Sequence, residues 1–107
     1  MNIEDFKKSI TQDHPPEGLS PLLLSLWYDA KCDWEKSHDI ISEIESKDAA
    51  LIHAYLHRKE GDLWNADYWY LRAGKARNNE SLPAEWNELV ENIIVSRISD
   101  ISTDFDS

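Results

Sequence analysis

Apolar side chains recur three and four positions apart along most of the chain, the spacing of helices that each bury one face. Ile3, Phe6 and Ile10 mark a short helix over about 2–11, which His14-Pro15-Pro16-Glu17-Gly18 stops, because consecutive prolines remove donors and crowd the preceding turn. Ser20 before Pro21 is a favoured helix start and opens a helix to about Lys31. Asp33 is the expected cap of the next, which carries Trp34, Ser37, Ile40, Ile41 and Ile44 on one side. After a turn near 46–48, a third long helix is expected over about Ala49–Glu60, closed by Gly61. Asp62 caps a further helix to Ala73-Gly74, and residues 75–80 form a polar loop. Ser81 and Pro83 open a last helix over about 82–99, with Trp86, Leu89, Val90, Ile93, Ile94 and Ile98 as its apolar set. Residues 100–107 read as a frayed acidic tail. No period-two run bounded by turn signals predicts a strand.

The chain also repeats itself. At an offset of 29 residues, Cys32-Asp33-Trp34 aligns with Gly61-Asp62-Leu63. In that register Leu24 meets His53, Ser25 meets Ala54, Tyr28 meets His57, Ser37 meets Ala66, Ile41 meets Tyr70 and Ile44 meets Ala73. Each half, about 20–46 and 48–74, is a helix, a tight turn and a second helix with a small residue near its start. Small residues let antiparallel helices approach, and the large one a turn later fills the space toward the next hairpin.

Gly61-Asp62-Leu63-Trp64-Asn65-Ala66-Asp67-Tyr68-Trp69-Tyr70-Leu71-Arg72-Ala73 resembles the turn and second helix of a tetratricopeptide repeat, with Ala66, Tyr70 and Ala73 at the small, aromatic and small positions. Leu24-Ser25 with Tyr28 is similar to the opening of that family's first helix, and Trp86 through Val90 resembles a third first helix that is never completed. The resemblance spans about Leu19–Ile94. The sequence departs from the family in its 29-residue period, in Cys32 at the turn glycine, and in His53 and His57 where Leu and Tyr are usual. His53 through Asp62 also resembles a group of short bacterial proteins that carries no function across. The resemblance implies an all-α fold of five to six helices, stacked antiparallel hairpins in a single domain over 1–107.

Composition narrows the functional classes. Eleven Lys and Arg against 21 Asp and Glu give a formal charge of −10. That balance opposes phosphate backbones and anionic membrane surfaces, so neither nucleic acid nor membrane is an expected partner. One cysteine excludes an internal disulfide and fits a reducing compartment. The opening residues have no apolar core of a signal segment, and no apolar run approaches a membrane span, so a cytoplasmic protein is expected.

Candidate chemistry is sparse. His53 and His57 lie four apart on one helix, and His38 is a conceivable third ligand. A metalloprotease needs Glu after the first His, where this chain has Ala54. The repeat register turns both histidines toward the partner helix, which favours packed, hydrogen-bonded side chains over a metal. Cys32 has no neighbouring base in sequence, and the three glycines form no phosphate loop. No catalytic residue, cofactor or metal is therefore expected.

The helix after Asp62 carries a surplus. Leu63, Ala66, Tyr70 and Ala73 account for its core face, yet Trp64, Tyr68 and Leu71 form a second apolar stripe where the first repeat has Glu35, Asp39 and Ser42. The last helix, through Trp86 and Leu89, or the 75–80 loop is its expected cover; an uncovered stripe would serve a partner. The first helices should line an inner groove presenting Tyr55, Arg58 and Lys59. Trp64, Tyr68, Leu71, Tyr55, Arg58 and Lys59 are thus the candidate contacts of a non-enzymatic interaction or scaffolding module, bound to a protein or peptide or to itself. The alternative is a small-molecule-binding protein or enzyme with a pocket around His53 and His57.

Overall fold

The computed structural model describes the backbone of residues 1–106 and the side chains through Val95. The fold is all-α, with six helices and no strand among the described residues: α1 (Ile3–Ser9), α2 (Pro21–Ala30), α3 (Trp34–Ser42), α4 (Lys47–Lys59), α5 (Leu63–Arg72) and α6 (Leu82–Asp106). Side-chain caps set most of the starts. Asn2, Ser20, Asp33, Ser46 and Asp62 each accept a hydrogen bond from the amide three residues on, satisfying a donor that the first turn leaves free. Ser46 places the start of α4 at Lys47, two residues before the expected Ala49. Helix α6 runs on past the expected end near Ser99 to Asp106; no glycine or proline follows Pro83 to stop it.

Helices α2 with α3 and α4 with α5 form two antiparallel hairpins, and α3 packs on α4 to join them. The 29-residue register is visible atom by atom. Cys32 and Gly61 both take positive φ, 65° and 87°. Cys32 N–H reaches Asp29 O and Asp33 N–H reaches Tyr28 O, just as Gly61 N–H reaches Arg58 O and Asp62 N–H reaches His57 O. This is the glycine-type helix stop, built once with cysteine. At the crossings, Ser25 and Ser37 are fully buried in the first hairpin, and Ala54 and Ala66 in the second.

The main core gathers Phe6, Leu26, Trp27, Ile41, Ile52 and Leu56 with Leu89, Val90 and Ile93 of α6. Helix α6 lies across α2 and α4 rather than along α5. It closes the inner side of the hairpins, where Trp86 Nε1–H donates to Leu26 O at 3.1 Å and the Trp86 ring stacks on Phe6 of α1. Helix α5 packs its apolar side on α4, through a smaller core of Ala54, Ala66 and Tyr70 flanked by Leu51 and Trp69. No helix among the described residues is long and apolar enough to cross a membrane.

Candidate functional site

On α5 the helical period separates two faces. Ala66, Tyr70 and Ala73 point into α4, while Trp64, Tyr68 and Leu71 lie on the opposite side at 78%, 44% and 77% exposure. The expected covers are elsewhere: Trp86 and Leu89 are committed to the main core, and the 75–80 loop sends Arg77 to pair with Asp67 at 2.6 Å instead of crossing the stripe. Leu63, expected in the core, is 43% exposed at the first turn of α5. Trp69, for which no sequence signal assigns a face, is partly buried against Ala54, Ala66 and Tyr70. Arg72 sits over the rings of both Tyr68 and Trp69, 5.8 and 5.2 Å from their centroids. In α3 the positions matching the stripe, Glu35, Asp39 and Ser42, are exposed and polar.

Tyr55, Arg58 and Lys59 do not form an open peptide groove, because α6 occupies it. Tyr55 is 2% exposed and its hydroxyl donates to Asp29 at 2.6 Å, while Lys59 Nζ lies 2.8 Å from the other Asp29 oxygen. Arg58 Nη1 meets Glu85 of α6 at 2.8 Å, and the Tyr70 hydroxyl donates to that carboxylate as well. Burial and the neighbouring carboxylates push both tyrosine hydroxyls above their ordinary range, keeping them protonated as donors. Two buried acids thus tie elements together, Asp29 joining α2 to α4 and Glu85 joining α6 to both α4 and α5, a role no sequence motif announces. Tyr55 and Lys59 still line an open cavity of about 520 Å³ with Ile10, Asp29, Leu82 and Trp86; Arg58 stands outside it.

The histidines meet more closely than a pair. His38 comes from α3 of the first hairpin, and His53 and His57 come from α4 of the second. One ligand nitrogen from each lies within 4.8 Å of the others. His38 Nε2 and His53 Nε2 are 2.9 Å apart, sharing a hydrogen bond, and His57 Nδ1 donates to Glu60 Oε1 at 2.7 Å. The rings are held by aromatic walls. Trp34 stacks on His38 at 4.8 Å and meets His57 edge-on, and Trp69 stacks on His53 at 3.9 Å. The Trp34 indole is itself fixed by Nε1–H donation to Leu56 O at 2.8 Å. Burial, then the two neighbouring imidazoles, lowers His53 from 6.5 to about 4; burial and His57 lower His38 in the same direction. Tyr28 does not join them: it packs edge-on against Trp27 and under Lys36. His53 and His57 are packed and hydrogen-bonded, but toward α3 rather than the partner helix that the register gives: His53 bonds His38, His57 bonds Glu60 and packs on Trp34, and only His53 reaches α5, through Trp69. Cys32 is exposed in the α2–α3 turn.

Comparison with protein-family models, with curated proteins and with solved structures gives no match for this chain.

Proposed function

We propose that this protein is a non-enzymatic interaction module of tetratricopeptide-like type, that it works through the outer face of α5, and that a second copy of the chain covers that face. One observation carries the reading. Of the six exposed large hydrophobic side chains among the described residues, four (Leu63, Trp64, Tyr68 and Leu71) stand on this one helix. Scattered apolar residues are ordinary on a surface, but an aromatic cluster on one helix face is the composition of an interface. The first hairpin is an internal control, because its matching face is polar.

The choice of occupant rests on charge and on repeat number. Glu60 and Asp62 lie at the N-terminal end of α5, and Arg72 and Lys75 at its C-terminal end. An antiparallel two-fold pairing of α5 with its copy brings each acidic end to a basic one, aligns opposed helix dipoles and joins the two stripes. Two hairpins are also fewer than the three or more that a stack of such repeats needs to bury its faces, and a dimer stacks four. The test is sedimentation equilibrium of the wild type beside Trp64→Ser/Tyr68→Ser, with circular dichroism as the check on folding. The expected result is a wild-type dimer and a folded monomeric variant. A wild type that stays monomeric at every concentration, or a variant that still dimerises, overturns the assignment of a second copy to α5.

A further inference from the structure

We infer that His38, His53 and His57 form a binding site for one divalent transition-metal ion of the zinc class, with Glu60 as the carboxylate that orients His57. The convergence is not a by-product of one helix. The ligands come from two hairpins and meet at the α3–α4 seam, with one nitrogen of each inside a 4.8 Å span. Tetrahedral coordination with metal–nitrogen bonds of about 2.0–2.1 Å needs ligand nitrogens roughly 3.3 Å apart. His38 Nε2 and His53 Nε2 stand at 2.9 Å, so these two rings part by a few tenths of an ångström where they now share one proton, while the His57 nitrogen, within 4.8 Å of both, closes by up to about 1.5 Å to seat the ion.

His57 supplies the second line of support. Its Nδ1 is engaged by Glu60, which leaves Nε2 as the nitrogen for the ion and makes the carboxylate–histidine–metal arrangement that fixes tautomer and ring plane. Nε2 of His57 makes no hydrogen bond with the described residues. The indoles of Trp34 and Trp69 stack on His38 and His53, fixing their ring planes and shielding the rings from water. Three imidazoles and no sulfur or carboxylate in the first shell suit Zn²⁺, Cu²⁺, Ni²⁺ or Co²⁺; Mg²⁺ and Ca²⁺ demand oxygen. Three protein ligands also leave a fourth position for water or an outside ligand. His53 lines a cleft of about 340 Å³ together with Trp69, Arg72 and the α3–α4 turn, which gives that position a route to solvent.

The probe is Zn²⁺ added to protein stripped by a chelator, read by titration calorimetry and by metal content after desalting. The expected result is one zinc per chain. His38→Ala removes a half-buried ring at the edge of the cluster and should weaken binding by at least ~100-fold, more than the 10–100-fold typical of losing an outer partner. Glu60→Gln should cost about 10-fold or more, and His14→Ala, at the one histidine outside the cluster, should change nothing. In the wild type the imidazole ¹⁵N signals of His38, His53 and His57 should move on zinc addition while that of His14 stays. Zinc uptake equal in wild type and His38→Ala, or uptake lost in His14→Ala, overturns the site. Because His38 lies on α3, away from Trp64, Tyr68 and Leu71, zinc uptake by His38→Ala and the oligomeric state of the α5 variant are read separately, so either proposal can fail alone.

Discussion

Cys32 and Gly61 do the same work in their two hairpins, and only one of them suits it. Both end a first helix at positive φ, a conformation in which a side chain costs roughly 1–2 kcal/mol and glycine almost nothing. A Cβ placed on Gly61 would meet nothing within 4 Å, so any penalty there is conformational rather than steric. Gly61→Ala should therefore destabilise by about 1 kcal/mol. Cys32→Gly should do the reverse and stabilise by about 0.5 kcal/mol, the difference between relieved strain and the extra freedom glycine gains when unfolded. Denaturant titration of the two variants beside the wild type measures both signs. If Cys32→Gly destabilises, the thiol makes a contribution that its exposed place in the turn does not explain.

At the scale of the element, each hairpin solves the same close crossing with different chemistry. Ser25 Oγ lies 2.9 Å from both the carbonyl oxygen and the hydroxyl of Ser37, whereas the second hairpin places Ala54 against Ala66. A double-mutant cycle should show it. Ser25→Ala and Ser37→Ala should each cost about 1–2 kcal/mol, and the double variant, which recreates the alanine solution, should fall short of their sum by about 1 kcal/mol. Additive losses would mean that the serines act separately. The elements themselves were legible in the sequence because their signals are local: Ser20-Pro21, Asp33, Asp62 and Gly61 mark ends within one or two residues of where they fall. The 29-residue register was legible for the same reason. What packs on what was not. Helix α6 crosses α2 and α4 because Trp86, Leu89 and Val90 find their partners 60 residues away or more, Phe6 and Leu26 among them, and no local pattern reports that. So the stripe of α5 was expected to be covered and is bare, and Tyr55 and Arg58 were expected in a groove that α6 fills. The pair His53 and His57 stood out by spacing, but bringing His38 between the indoles of Trp34 and Trp69 takes the fold.

The whole molecule responds to acid through that cluster. In metal-free protein His53 titrates near 4 when folded and near 6.5 when unfolded, and His38 is shifted the same way. The unfolded chain therefore binds more protons between those limits, so stability is flat above about pH 6.5 and declines as pH falls toward 4. Asp67, held below the usual carboxylate range by its hydrogen bond with Arg77, adds its own loss only at more acidic pH. Thermal unfolding of chelator-treated protein at pH 7.5, 6 and 5 should show a falling midpoint, and His53→Asn should flatten the trend. A midpoint that is constant over this range would contradict a neutral, buried His53. The placement of α6 has a consequence in time as well. Each hairpin closes over a few tens of residues and can form early, whereas the Trp86–Leu26 contact must wait for a loop of 60 residues to close. Until then the inner sides of α2 and α4 stand open, with Leu26, Ile52 and Tyr55 facing water. During that interval a newly made chain exposes the most apolar surface, and a charge of −10 on every copy opposes unspecific clustering until the last helix arrives.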